Sequence, residues 1–189
     1  MLLQDHAELI RAPLFKNEAD GRHPIRIASI SDFPCCGYLP VPRREIKLTE
    51  SLTEAQRFCL KPYDVLLTIV GSVGHLSVVP DSASDNWVPA TNMVVLRPKD
   101  ASGASSIALY LYFKSETGRS ALDSLVHGKT IRLVSKKALG RLTVPSFSQE
   151  LLQTAGELFD QEVNLYKGYL SERDKLLAEI SRLFSRQRS

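Results

Sequence analysis

The sequence predicts an α+β fold, in which a mixed, β-rich unit over residues 1–145 is followed by one long helix over 146–189. Three observations carry this. Short apolar runs alternate with connectors rich in Pro, Gly, Ser, Asp and Asn through the first part, as β structure requires. Two stretches with helical spacing interrupt those runs. From Ser148 to about Arg186 there is no proline, and apolar residues recur in steps of four and three.

The elements follow in order. His23 to Ile30 alternates apolar and polar residues and reads as a strand with one solvated face. Val65 to Val70 is continuously apolar, which points to a strand covered on both faces. Leu76–Val79 follows after a turn, and Met93–Leu96 forms a further strand before Arg97-Pro98. A largely apolar helix is expected over Ser106–Ser115, continuing from Gly118 to Leu125. Ser135 is placed to cap a short helical turn over 136–139, and Leu142–Pro145 returns to extended chain.

The last segment differs in kind. Leu152, Phe159, Val163, Tyr166, Leu170, Leu177, Ile180 and Phe184 form one seam, with weak places at Gly156 and Arg173. A helix of roughly 38 residues is about 57 Å long. A unit of about 145 residues is only about 35–40 Å across. The apolar stripe therefore needs another helix, unless a break at Gly168 folds the rod back on itself.

Composition narrows the functional classes. The net charge is +3, but residues 1–145 hold 18 Lys/Arg against 14 Asp/Glu, whereas 146–189 hold 6 against 7. Lys114, Arg119, Lys129, Arg132, Lys136, Lys137 and Arg141 cluster within 28 residues, opposed only by Glu116 and Asp123. Such a segment fits a phosphate-contacting surface or an ordinary solvated one. No apolar run is long enough for a membrane span, and the start lacks the marks of a signal peptide, so the expected location is cytoplasmic. Cys35, Cys36 and Cys59 have neither disulfide-framework nor zinc spacing, and they read as buried, inert thiols. The four histidines are scattered, so no metal is expected.

Several segments, in order, resemble the specificity subunits of type I restriction–modification enzymes. Leu60 to Pro80 is similar to that family's "LKPGDVLLTxxGSxGxxAVVP", with Tyr63 where a glycine is usual. Tyr110–Ser115 with Gly118 resembles "YLxxYLxSxxG", and Gly128 to Pro145 resembles "GxTxxxLSxxxLxxLxVP". His23–Ile27 with Asp32 resembles "IPxIRxxDI". A full subunit has two recognition domains and two helical regions, and this chain has one of each. The resemblance therefore implies a half-subunit, whose domain 1–145 recognises double-stranded DNA. Residues 146–189 would pair as an antiparallel coiled coil in a homodimer and dock a methyltransferase subunit. It further implies no catalytic residue here, no cofactor of its own, S-adenosylmethionine and ATP on the methyltransferase and restriction subunits, and no membrane.

Gly128–Arg132 is the leading DNA-contact segment, with Lys129 and Arg132 suited to phosphates or a guanine edge and Thr130 between them. Gly71–His75 fits a tight hairpin turn, and equally a loop that brings Ser72 and His75 to DNA. Arg43, Arg44 and Lys47 form a second basic loop, which either reaches a groove or keeps the surface soluble, and Arg26 lies on a strand facing either DNA or an ion pair. Two other readings compete: an interaction scaffold of the same fold without DNA binding, and a hydrolase using Ser72. The second lacks the G-x-S-x-G spacing. There is likewise no P-loop, dinucleotide fingerprint or methyltransferase N-P-P-Y.

Overall fold

The computed structural model describes residues 1–16, 20–49, 55–100 and 103–185. Two sheets face each other. The larger contains β1 (Ala7–Ile10), β4 (Val65–Thr68), β5 (Leu76–Val78) and β7 (Met93–Pro98), in the antiparallel order β1-β7-β4-β5. The smaller has the order β3-β2-β6, built from β2 (His23–Ala28), β3 (Arg44–Leu48) and β6 (Trp87–Pro89). In it β2 runs antiparallel to β3 and parallel to β6.

Why β4 and β7 read as unbroken apolar runs is now plain. Val65, Leu67 and Ile69, with Val94 and Leu96, point to a core shared with the helices. Leu66 and Val95 point the other way, to Leu60, Val79 and Trp87 between the sheets. A third cluster, Ile25, Ile27, Ile46 and Val88, packs on β2, β3 and β6. Strands buried on both faces lose the period-two signal.

The helices are α1 (Leu3–His6), α2 (Gly103–Lys114), α3 (Glu116–Asp123), α4 (Lys136–Gly140) and α5 (Gln149–Ser185). Serine caps open three of them: Ser115 Oγ accepts from Gly118 N, Ser135 Oγ from Ala138 N and Ser148 Oγ from Leu151 N. β1 is an element that the sequence reading omits. Its four residues are too few to show a period, and pairing with β7 creates it.

Helix α5 is unbroken through Gly168 and spans about 55 Å. Arg186 lies outside the described residues. Phe159 is fully buried, its ring edge-on to Tyr38 (5.0 Å) and Tyr110 (5.4 Å). Val163 sits against Gly37, and Glu162 pairs with Lys114 of α2. Every residue from Ser171 to Ser185 is exposed. The rod is thus held over its first 22 residues and projects beyond.

Its direction follows from these contacts. As α2 runs from Ala108 to Lys114, its α5 neighbours advance from Ala155 to Glu162, so the helices run in the same general sense. Gly103, at the start of α2, lies under the Tyr63 ring beside the start of β4. After α2, α3 brings Leu122 against Gly74, beyond the end of β4. The end where β1, β4, β2 and β6 finish and β7 begins is therefore the end toward which α5 leaves.

Of the three cysteines only Cys59 is buried; Cys36 is half-buried and Cys35 exposed. The expectation of three buried thiols is corrected here, because Cys35-Cys36 lies in the surface loop that α5 crosses. Among the described residues no helix is long and apolar enough to cross a membrane, and no group of three metal-ligating side chains forms.

Candidate nucleic-acid interface

Two loops remote in sequence meet at this end. The first joins β4 to β5. Buried Thr68 organises it: its hydroxyl donates to Ser72 O (2.5 Å) and accepts from His75 N (2.9 Å). Gly71 and Gly74 take φ of +78° and +96°, which L side chains resist. Ser72 and His75 are left exposed.

The second loop is closed at its base by reciprocal His127–Leu133 backbone bonds of 3.0 and 2.8 Å. Gly128 has φ +98°, and a Cβ there would lie 2.1 Å from Ile131 O. That tight turn lifts Lys129, Thr130, Ile131 and Arg132 into solvent. The loops are stitched together. Gly71 N donates to Arg132 O (2.8 Å), Val134 N donates to Ile69 O (2.8 Å), and Val70 bridges Leu133. Ser72, His75, Lys129, Thr130 and Arg132 thereby share one surface.

The basic residues divide into exposed and engaged sets. Arg132 is exposed and pairs with exposed Asp123 at 2.8 Å, a contact that costs little to exchange for a phosphate. Lys114 leaves the surface set: it pairs with Glu162 and sits beside the Tyr110 hydroxyl, and burial lowers its pKa. Arg119, Lys136, Lys137 and Arg141 remain exposed. Arg26 is held by Glu45 (2.9 Å) and Pro42 O (3.0 Å), so of its two possible partners the ion pair holds it. The expected basic loop is corrected here: Arg44 and Lys47 lie on strand β3, paired with β2, exposed opposite Ile27 and Pro24. Arg43 turns instead toward α5. The structure does not join Arg26, Arg43 and Lys47 to the two loops.

One residue absent from the sequence reading belongs near the interface. Arg11 follows β1, donates to Thr91 O (3.2 Å) in the β6–β7 connection and is exposed at the same end. No local motif marks it, since β1 was not foreseen.

The helical seam divides too. Phe159 and Val163 pack on the chain's own core, Leu152 is partly buried, and Tyr166 and Leu170 face the 31–43 loop. Phe159 and Val163, expected on the partner seam, are packed on the chain's own domain, while Leu152, Tyr166 and Leu170 keep part of their surface exposed. Leu177, Ile180 and Phe184 remain exposed. A second stripe, Leu151, Leu158, Leu165, Tyr169, Leu176 and Leu183, is exposed along the whole rod. Leucines at steps of seven, with one step of eleven from Leu165 to Leu176, were the available signal.

This arrangement of two packed sheets, a flanking helix layer and a projecting rod is similar in fold to solved specificity subunits of type I restriction–modification systems. The chain is similar to the HsdS subunit from Thermoanaerobacter tengcongensis, with 18% identity and a TM-score of 0.58 over 88% of this chain and 37% of that one. It is similar to the type I S subunit from M. genitalium, with 14% identity and a TM-score of 0.54 over 87% and 39%. A structure concerned with complex assembly and conformational transition of the type I restriction–modification system matches at 19% identity and a TM-score of 0.63, over 96% and 42%. The chain thus spans about two fifths of the length of these structures. No protein-family model and no curated protein matches it.

Proposed function

We propose that this chain is a DNA specificity module of a type I restriction–modification system, reading one half of a bipartite site. The observation that carries this is the stitched loop pair. Loops centred about 57 residues apart are locked together so that two cations and three polar side chains point outward from one rigid end. Backbone-fixed loops with exposed cations suit duplex DNA, where phosphates position and base edges specify.

The rod supplies assembly. Its exposed leucines match the apolar groove of about 450 Å³ between α2 and α5, lined by Leu111, Tyr112, Phe147, Leu151 and Leu158. Over 149–166 the helix carries four acids and no Lys or Arg, whereas 167–185 carries four cations against three acids. An antiparallel pair of copies sets acidic half against cationic half; a parallel pair sets acid on acid. Two chains would then read inverted half-sites. Domain 1–145 recognises DNA, and 146–189 pairs and docks the methyltransferase. In this reading the chain performs no covalent chemistry in its cytoplasmic complex. The methyltransferase subunit brings S-adenosylmethionine, and the restriction subunit brings ATP.

Filter binding to duplex DNA across 50–200 mM salt, with the methyltransferase subunit present, tests the reading. Lys129→Ala with Arg132→Ala should lower the slope of log affinity against log salt by about 2, at about 0.9 per phosphate contact. An unchanged slope and affinity would remove these loops from the DNA.

A further inference from the structure

The structure points to a second DNA contact, on the long helix itself. We infer that the cleft between the 31–43 loop and α5 grips the phosphate backbone of the duplex beyond the recognition loops. This rests on the reading of the chain as a DNA module, and it assigns DNA contact to Lys167 and Arg173, which that reading leaves unused.

The cleft, about 420 Å³, is lined by Arg43, Lys167 and Arg173, with the aromatic walls of Tyr38 and Tyr166. Its one acid is already engaged. Asp32 is almost fully buried and accepts from Ser29 N (2.9 Å) and Ser29 Oγ (2.7 Å), with Arg43 Nε 4.0 Å away. Arg43 is 83% exposed, so that contact leaves most of its guanidinium open. Arg173 pairs with its exposed neighbour Asp174, at 2.8 Å. Three cations thus line the cleft against the satisfied Asp32, with exposed Asp174 paired to Arg173.

This also accounts for an oddity of the sequence. Arg173 interrupts the apolar stripe between Leu170 and Leu177, at the turn where α5 leaves the domain. An apolar residue there would serve packing; an arginine beside Arg43 serves an anion. Lys167 and Arg173 are six residues apart, about 9 Å along the axis. That is comparable to two or three phosphate-to-phosphate steps at about 3.4 Å rise per strand.

The occupant is duplex DNA for a positional reason. Arg43 is followed by Arg44, paired with Ile27 near the end of β2. That end, through Ala28 and Ala90, adjoins the β6–β7 turn and the stitched loops. A duplex leaving the loops along the projecting rod passes this cleft. The acidic half of a second copy is the competing occupant, and the test must separate the two.

The test compares three proteins on a mixed-sequence 40-base-pair duplex by filter binding, with oligomeric state followed by sedimentation. They are the parent chain, the Arg43→Ala, Lys167→Ala, Arg173→Ala triple variant and the Lys129→Ala, Arg132→Ala loop variant. The triple variant should lower the salt slope by about 2.7, which shrinks the affinity loss between 50 and 200 mM salt roughly 40-fold. Its sedimentation should match the parent, and the charge-keeping Arg43→Lys, Arg173→Lys variant should keep the parent slope. An unchanged slope in the triple variant beside a lowered one in the loop variant would overturn the cleft and leave the DNA reading standing. No change in either variant would overturn the DNA reading itself. A triple variant that sediments as a smaller species would give the cleft to the second copy instead.

Discussion

Replacing Phe159 with alanine separates two accounts of the long helix. In a pure dimer seam, its loss would weaken association and leave the isolated chain as stable as before. In the structure Phe159 is 0% exposed and makes edge-on ring contacts to Tyr38 and Tyr110. Burial of such a ring contributes about 1.5–3 kcal/mol. The two ring pairs add about 0.5–1.5 kcal/mol each. Together these come to about 2.5–6 kcal/mol, a range that brackets the roughly 3–5 kcal/mol typical of Phe→Ala in a core. With a urea m-value of about 2–3 kcal/mol/M, a loss of 4 kcal/mol lowers the midpoint by about 1.5 M. Urea unfolding at sub-micromolar protein measures this where self-association is weak, and Leu177→Ala, at an exposed position, should stay within about 0.5 kcal/mol. A Phe159→Ala loss below about 1 kcal/mol, or one that grows with protein concentration, would refute the anchoring of α5 to its own domain.

Three further outcomes follow. Burial pushes the Tyr110 phenol up to about 12, against the opposing effect of the Gly37 N–H that donates to it at 2.9 Å. The folded state thus holds this proton more tightly than the unfolded, so the stability it contributes is present below pH 10 and lost as pH rises from 10 to 12. Phenolate absorbance should show one of the six tyrosines titrating near 12, and Tyr110→Phe should remove that late step. Gly128→Ala, whose Cβ would meet Ile131 O at 2.1 Å, should weaken DNA binding severalfold without removing a charge, as filter binding against the parent would register. A heptad inserted after Ser171 lengthens the rod by about 10.5 Å. Selection from randomised duplexes with the methyltransferase present should then return half-sites about three base pairs further apart.

Much of the architecture was legible because it depends on local chemistry. The doubly buried β4, the serine caps of α4 and α5 and the unbroken run from residue 149 each have a signal within a few residues. The hairpin role of Gly71–His75 was equally local, set by two glycines at positive φ. What was not legible is non-local. No pattern in Gly128–Arg132 says that its backbone will bond Gly71, or that β1 will pair with β7. The same holds for charge: Lys114 counted toward a basic surface, yet Glu162, 48 residues away, holds it in a half-buried ion pair. Tyr63 shows a local departure absorbed by tertiary contact. It adopts φ +65°, which suits a glycine, and its ring covers Gly103, where no side chain would fit.

The seam divides because α5 presents two apolar faces, one covered by its own domain and one exposed. Apolar spacing alone merges them: steps of four and three continue from Leu152 to Phe184 whether the cover is the chain's own domain or another molecule. Burial separates them. The stripe through Phe159 and Val163 anchors the rod, and the leucines at 151, 158, 165, 176 and 183 stay free along it. Anchoring fixes the direction in which the free stripe points, and that direction is toward the end bearing the stitched loops. In an antiparallel pair built on the free stripe, the loop-bearing ends of the two domains face each other along the rods. One duplex lying beside the rods then reaches both loop pairs, and the stretch between them runs past Lys167 and Arg173 of each chain. A rod anchored the other way round would place both loop pairs at the far ends, turned outward, where no single straight duplex meets them together with the helix.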